Sequence, residues 1–155
     1  MSNYQLFTDG SYDKESEVYG CGFALIKDGV CISTHTKAYC NDFSVHRNIA
    51  GEVLAVMLGI EYCYKLGIKE LEIVYDYTGI GNWALGIWNA KKPLTMMYKK
   101  FILSYTNHMS LDFKNIKGHS GIEYNELADE LASKSIKEFK GEINYENSNQ
   151  RQEKV

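Results

Sequence analysis

The sequence predicts an α/β domain: a five-stranded mixed sheet, its first three strands antiparallel and the later two parallel, with helices on both faces. Three observations carry this prediction. The N-terminal region is rich in β-branched and aromatic residues around one tight-turn pair, Asp28-Gly29. The apolar period then becomes helical between Val45 and Leu66. Beyond that helix, strand and helix patterns alternate, which implies right-handed crossovers and parallel pairing.

Taken in order, Tyr4 to Asp9 reads as a short apolar strand ended by Gly10 and Ser11. Val18–Lys27 and Val30–Tyr39 read as a hairpin across Asp28-Gly29. In the following helix Ile49, Val53, Val56, Met57, Ile60 and Tyr64 recur at helical spacing, and Gly67 is placed to cap it. Glu70 to Asp76 is apolar on both faces, which suits a central strand. Thr78 to Ile87 predicts a short helix, and Pro93 opens a longer one to about His108. Ser110 to Lys117 alternates as a fifth strand before the glycine-flanked loop 118–121. The last helix is expected from Glu123 to Phe139, with Leu127, Ala128, Leu131 and Ala132 on its apolar face. From Lys140 the composition turns polar, so residues 1–139 are expected to form one catalytic domain and 140–155 a flexible tail.

A chain of 155 residues, 45% hydrophobic and 13% aromatic, can bury one core without disulfides or structural metal. The four cysteines and four histidines show no zinc-like spacing. No signal-like N-terminus is present, and no apolar run approaches the roughly 18 residues of a membrane span. A soluble, monomeric, cytoplasmic protein with reduced thiols is expected. The net charge of −3 excludes a grip on nucleic acid by bulk electrostatics, so any polyanion contact must be local.

Four acidic residues stand where the chain returns to one place: Asp9, Glu52, Asp76 and Asp129. Taken singly, each has an ordinary reading: a turn aspartate, a half-exposed helical glutamate, a strand-ending turn, a solvated helix face. Glu52, however, falls on the flank of the apolar stripe with no basic residue to cover it, which favours a metal or a proton. As a set, two such charges at about 4 Å repel by on the order of 4 kcal/mol at an effective dielectric near 20. Divalent cations or protons must offset this, and oxygen donors without His or Cys favour Mg²⁺ or Mn²⁺. Two ions roughly 3.5–4 Å apart suit in-line displacement at a phosphodiester.

The ordered set Thr8-Asp9-Gly10-Ser11, Gly51-Glu52, Tyr75-Asp76, Lys117-Gly118-His119-Ser120-Gly121 and Asn125-Glu126-Leu127-Ala128-Asp129-Glu130-Leu131-Ala132 resembles type 1 ribonuclease H from about Tyr4 to Ile136. The resemblance implies the ribonuclease H-like fold and an endonuclease that cuts the RNA strand of an RNA–DNA hybrid with two Mg²⁺ ions, leaving 5′-phosphomonoesters. It implies that Asp9, Glu52, Asp76 and Asp129 hold the metal, and that His119 assists proton transfer or product release. Among substrate contacts, Asn48 matches a minor-groove position that meets the RNA 2′-hydroxyl. Gly10 and Ser11 would lie along the RNA strand, Asn125 matches an amide near the site, and Trp83 or Trp88 either lines the DNA-strand groove or is a buried core tryptophan.

The chain departs from the family pattern in several places. Tyr77 and Thr78 follow Asp76 where many members carry Ser and Gln. Arg47 stands where a hydroxyl residue often helps hold a DNA phosphate. The segment from Trp83 to Tyr98 is shorter than in members with a basic protrusion, leaving Lys91, Lys92, Lys99 and Lys100 as a smaller phosphate patch. With no separate hybrid-binding domain expected, this implies modest affinity and low processivity. Two other readings compete: another metal nuclease of the same fold acting on DNA, and a catalytically silent nucleic-acid-binding domain. The Gly-His-Ser-Gly loop and the Asn-x-x-x-Asp helix oppose the first, and four intact acidic positions oppose the second.

Overall fold

Strands β1 (Tyr4–Asp13), β2 (Val18–Lys27) and β3 (Val30–Tyr39) form an antiparallel meander. These elements come from a computed structural model that describes residues 3–118 and 121–153, with side chains described as far as Gly141. Asp28 and Gly29 turn the β2–β3 hairpin at φ 49° and 81°, the left-handed pair that matches strand twist. A short 3-10 helix, Asp42–His46, leads into α1 (Asn48–Lys65). Strand β4 (Glu70–Tyr75), helices α2 (Gly79–Ala84) and α3 (Pro93–Tyr105), strand β5 (Ser110–Asn115) and helix α4 (Glu123–Glu153) complete the chain. The sheet order is β3-β2-β1-β4-β5, with β1–β4 and β4–β5 parallel.

Several predicted boundaries move: α2 ends at Ala84 rather than Ile87, α3 at Tyr105 rather than His108 and β5 at Asn115 rather than Lys117, and three further shifts have a visible cause. β1 does not stop at Gly10: Gly10 and Ser11 pair with Cys21 and Gly20, and the strand runs on to Asp13 because β2 supplies a partner along its full length. The helix predicted from Val45 begins at Asn48, since Arg47 takes φ 57° between the 3-10 turn and α1. The helix predicted to end at Phe139 continues to Glu153. Its Glu, Lys, Gln and Arg residues are straight-chain helix formers, so polarity alone does not stop it.

Residues alternate along β1 between two apolar layers. Leu6 packs with Phe23, Leu25 and Ile73 against Val53, Val56 and Ile60 of α1 and Leu94, Tyr98 and Ile102 of α3. Phe7 packs with Ala24, Ile26 and Val74 against Ala128 and Leu131 of α4. β4 is central, with Leu71, Ile73, Val74 and Tyr75 all buried. The sheet is thus covered on both faces, as its apolar central strands require.

Glycines decide how closely the helices approach. A Cβ on Gly51 of α1 would collide with the Gly20 carbonyl and lie 2.9 Å from the Gly10 Cα. On the opposite face a Cβ on Gly22 would lie 2.5 Å from both the Ala128 oxygen and the Ala132 nitrogen of α4. α1 therefore rests backbone-on-backbone against β1 and β2, and α4 against β2.

Gly51→Ala should accordingly destabilise the fold by about 3 kcal/mol, because the obstructing atoms are backbone and cannot step aside. Gly141→Ala, whose Cβ would meet nothing within 4 Å, should be neutral or stabilising. Urea unfolding of the two variants checks this, and equal midpoints would remove the close approach as a constraint.

Candidate metal centre

The β1–β4 register places the first two carboxylates. Pairing between these parallel strands ends at Phe7↔Val74, and Asp9 and Asp76 each lie two residues farther on. Two residues restore the same face of a strand, so both follow the Phe7 and Val74 side chains at one height. β4 ends at Tyr75 while β1 continues along β2, so Asp9 has no ladder partner on the β4 side. Glu52 arrives from the other face, on the part of α1 that the glycines bring against β1. A Cβ on Gly10 would strike the Glu52 backbone nitrogen.

Asp9, Glu52 and Asp76 thereby offer carboxylate oxygens that all lie within 4.8 Å of one another. Asp9 is 5% exposed and Glu52 3%, while Asp76 is half-buried. Among the described residues no lysine or arginine forms an ion pair with Asp9 or Glu52.

This crowding shows in the protonation equilibria. Burial, with the charges of Asp76 and Asp129 behind it, raises the Asp9 carboxyl to about 6, although the Gly10 N–H donates to its Oδ1 at 2.9 Å. Burial pushes Glu52 well above the usual carboxylate range, and the hydrogen bond and charge of Asp9 push it further. The Glu52 Oε2 is buried without a hydrogen-bond partner. A group of hard oxygen donors, one of them orphaned, with no histidine or thiol among them and no basic partner for its two buried members, fits a divalent cation of the Mg²⁺ and Mn²⁺ class.

The other predicted residues fall around this group. Asp129 is half-buried on α4 and acts on Asp9 through its charge, but it lies outside the group of three. One turn earlier Asn125 is 3% exposed, and its Oδ1 has no partner. His119 lies outside the described residues. Its neighbour Gly118 is placed so that a Cβ there would lie 3.2 Å from the Asp76 Oδ2. The Ile116 N–H donates to the Tyr75 carbonyl at 2.8 Å, which ties the start of that loop to the end of β4.

Asn48 is exposed at the first residue of α1, one turn before Glu52, with Arg47 exposed beside it. Gly10 and Ser11 are half-buried on β1. Trp83 is half-buried between Tyr77, with ring centroids 5.8 Å apart, and Trp88, at 5.5 Å, while Trp88 is 41% exposed. Lys99 donates to the Ala84 carbonyl at 3.2 Å, so of the four lysines in that region its ammonium is engaged at the end of α2.

Sequence reasoning did not single out Thr8 or the glycines Gly20 and Gly22. Thr8 is fully buried with an unpartnered hydroxyl beside Asp9. Three glycines at positions 10, 20 and 22, in strands otherwise rich in large residues, were the available signal.

The family model for RNase H matches residues 1–137. A ribonuclease H of Pseudoalteromonas translucida is 27% identical over 138 residues, covering 83% of this chain and 86% of the relative. The RNase H1 of Halobacterium salinarum superposes with a TM-score of 0.76 at 16% identity, over 88% of this chain and 99% of its own. LC11 RNase H1, solved in complex with an RNA/DNA hybrid, superposes with a TM-score of 0.70 at 18% identity, over 86% of this chain and 99% of its own.

The raised carboxyls fix the sign of a pH effect. Asp9 has a folded value of about 6 against 3.8 for the free side chain, so the native state binds the proton more tightly than the unfolded chain does. Without divalent cations, stability should be fullest below about pH 4 and fall as pH rises to about 6, Glu52 adding in the same direction. Asp9→Asn should remove the Asp9 part of this loss and gain on the order of 2–3 kcal/mol at pH 7 in chelator. Urea midpoints from pH 4 to 7 measure it, and parallel curves for parent and variant would contradict the coupling.

Proposed function

The chain belongs to the RNase H family, and on that premise we propose that it is an endonuclease that hydrolyses the RNA strand of RNA–DNA hybrids. The observation that carries the proposal is the convergence of Asp9, Glu52 and Asp76 just past the point where β1 and β4 stop pairing, with no basic partner for the two buried ones among the described residues. Asp9, Glu52, Asp76 and, from α4, Asp129 hold two divalent cations, Mg²⁺ or Mn²⁺. Bound there, such ions activate water and stabilise the attacking and leaving oxygens of an in-line displacement at phosphorus.

The chain's own groups supply the rest. Burial makes Glu52, and less strongly Asp9, hold a proton more tightly than a free carboxyl does, so a cation bound there would compete with protons for these two groups. Asn48, at the exposed start of α1, reads the minor groove and the RNA 2′-hydroxyl. Gly10 lets the RNA strand pass close to β1 with Ser11 beside it, and Asn125 supports the site from α4. His119, on the loop that starts against Asp76, carries the proton to the departing 3′-oxygen or eases product release. Hydrolysis breaks the P–O3′ bond and leaves a 3′-hydroxyl and a 5′-phosphate. We place this activity in residues 1–139 of a cytoplasmic monomer, with 140–155 as a tail outside the catalytic unit. Four free thiols accord with a reducing compartment.

A labelled hybrid incubated with Mg²⁺, Mn²⁺ or chelator tests the proposal, beside matched DNA and RNA duplexes. The RNA strand of the hybrid should be cut only with a divalent ion, and Asp9→Asn should lower the rate at least about 100-fold while the protein stays folded. A variant that cuts as fast as the parent would overturn the metal assignment.

Asn48→Ala should shrink the preference for hybrid over DNA duplex by on the order of tenfold, as loss of a hydrogen bond to a discriminating hydroxyl implies. Unchanged discrimination in the same assay would remove Asn48 from substrate reading.

A further inference from the structure

The region between Asp76 and Asp112 differs in kind from the rest of the protein. From Tyr77 to Leu111 it has no aspartate or glutamate but carries Lys91, Lys92, Lys99 and Lys100, while all 20 acidic residues lie elsewhere. It also holds five of the eleven large apolar side chains that are exposed among the described residues: Leu85, Ile87, Trp88, Met96 and Leu103. Single exposed apolar residues are ordinary, but a cluster on one unit marks an interaction surface.

On α3 the cluster has a shape. Met96, Lys100 and Leu103 follow at i, i+4 and i+7 on the outer face, while Leu94, Tyr98 and Ile102 are buried on the inner one. Met96, Met97 and Leu103, with Ala90 and the lysines 99 and 100, line a groove of about 460 Å³. Lys99 is pinned at one rim by the Ala84 carbonyl, and Lys100 stands exposed.

We propose that this groove docks an acidic segment of another protein, its apolar side chains seated on Met96, Met97 and Leu103 and its carboxylates facing the lysines. Nucleic acid is the weaker match. Phosphates are met by charged and polar groups and bases stack on aromatic faces, whereas a thioether and aliphatic floor does neither. Methionine suits a peptide groove because its unbranched, polarizable chain reshapes around differing anchors. The inference does not depend on the hydrolytic activity.

Fluorescence anisotropy tests it with a labelled peptide of about a dozen residues, with Leu and Phe anchors at helical spacing among aspartates. A second peptide carrying serine at the anchors serves as control. Saturable micromolar binding is expected, at least tenfold weaker for the control peptide and for the Met96→Ser, Leu103→Ser double variant. Both residues are exposed, so the variant should keep its circular dichroism spectrum and its rate on RNA–DNA hybrid. Absence of saturable binding, or equal binding by parent and variant, would overturn the proposal. A several-fold rise of the variant's KM for hybrid with no change in peptide binding would assign the face to nucleic acid instead.

Discussion

Two carboxylates sit almost out of water against a third, and among the described residues no cationic side chain pairs with the buried two. A buried ion pair would have neutralised them, but here the compensation must come from protons or from a ligand. The raised protonation of Asp9 and Glu52 expresses the same strain in the molecule alone. Folding energy gathered elsewhere in the sheet and its two apolar layers holds this unfavourable arrangement in place.

What permits it is the absence of side chains nearby. Gly10 and Gly51 let α1 lie directly on the strands, and Gly20 and Gly22 do the same for α4 on the other face. Without that contact Glu52 would stand a side chain's depth away from Asp9. The glycines and the carboxylates are therefore one device: the first set the distance, and the second experience it as repulsion. β4 adds Asp76 because its pairing with β1 stops just before both acids, where β2 alone continues the sheet.

Around this rigid centre the molecule is divided by charge. The acidic residues crowd the sheet and its covering helices, while α2 and α3 form an acid-free unit with lysines and exposed apolar groups. That unit packs on α1 through Leu94, Tyr98 and Ile102, so it shares a core with the helix that bears Glu52. Its outer face is free to serve a different purpose from the carboxylate edge.

Much of this was legible from the residues alone. The Asp28-Gly29 hairpin, the apolar faces of α1 and α4, the doubly apolar β4 and the four acidic positions all follow local patterns of period and turn chemistry, and local patterns are written in contiguous sequence. The length of β1 was not legible, because Gly10 and Ser11 look like a break until β2 is present to pair with them. Nor was the end of α4, since the polar residues after Lys140 form a helix as readily as a coil. Only the tertiary structure decided that Asp9, Glu52 and Asp76 meet within 4.8 Å while Asp129 stands outside that group. Such distances depend on strand register and on backbone contact between residues far apart in the chain, and no window of sequence contains either.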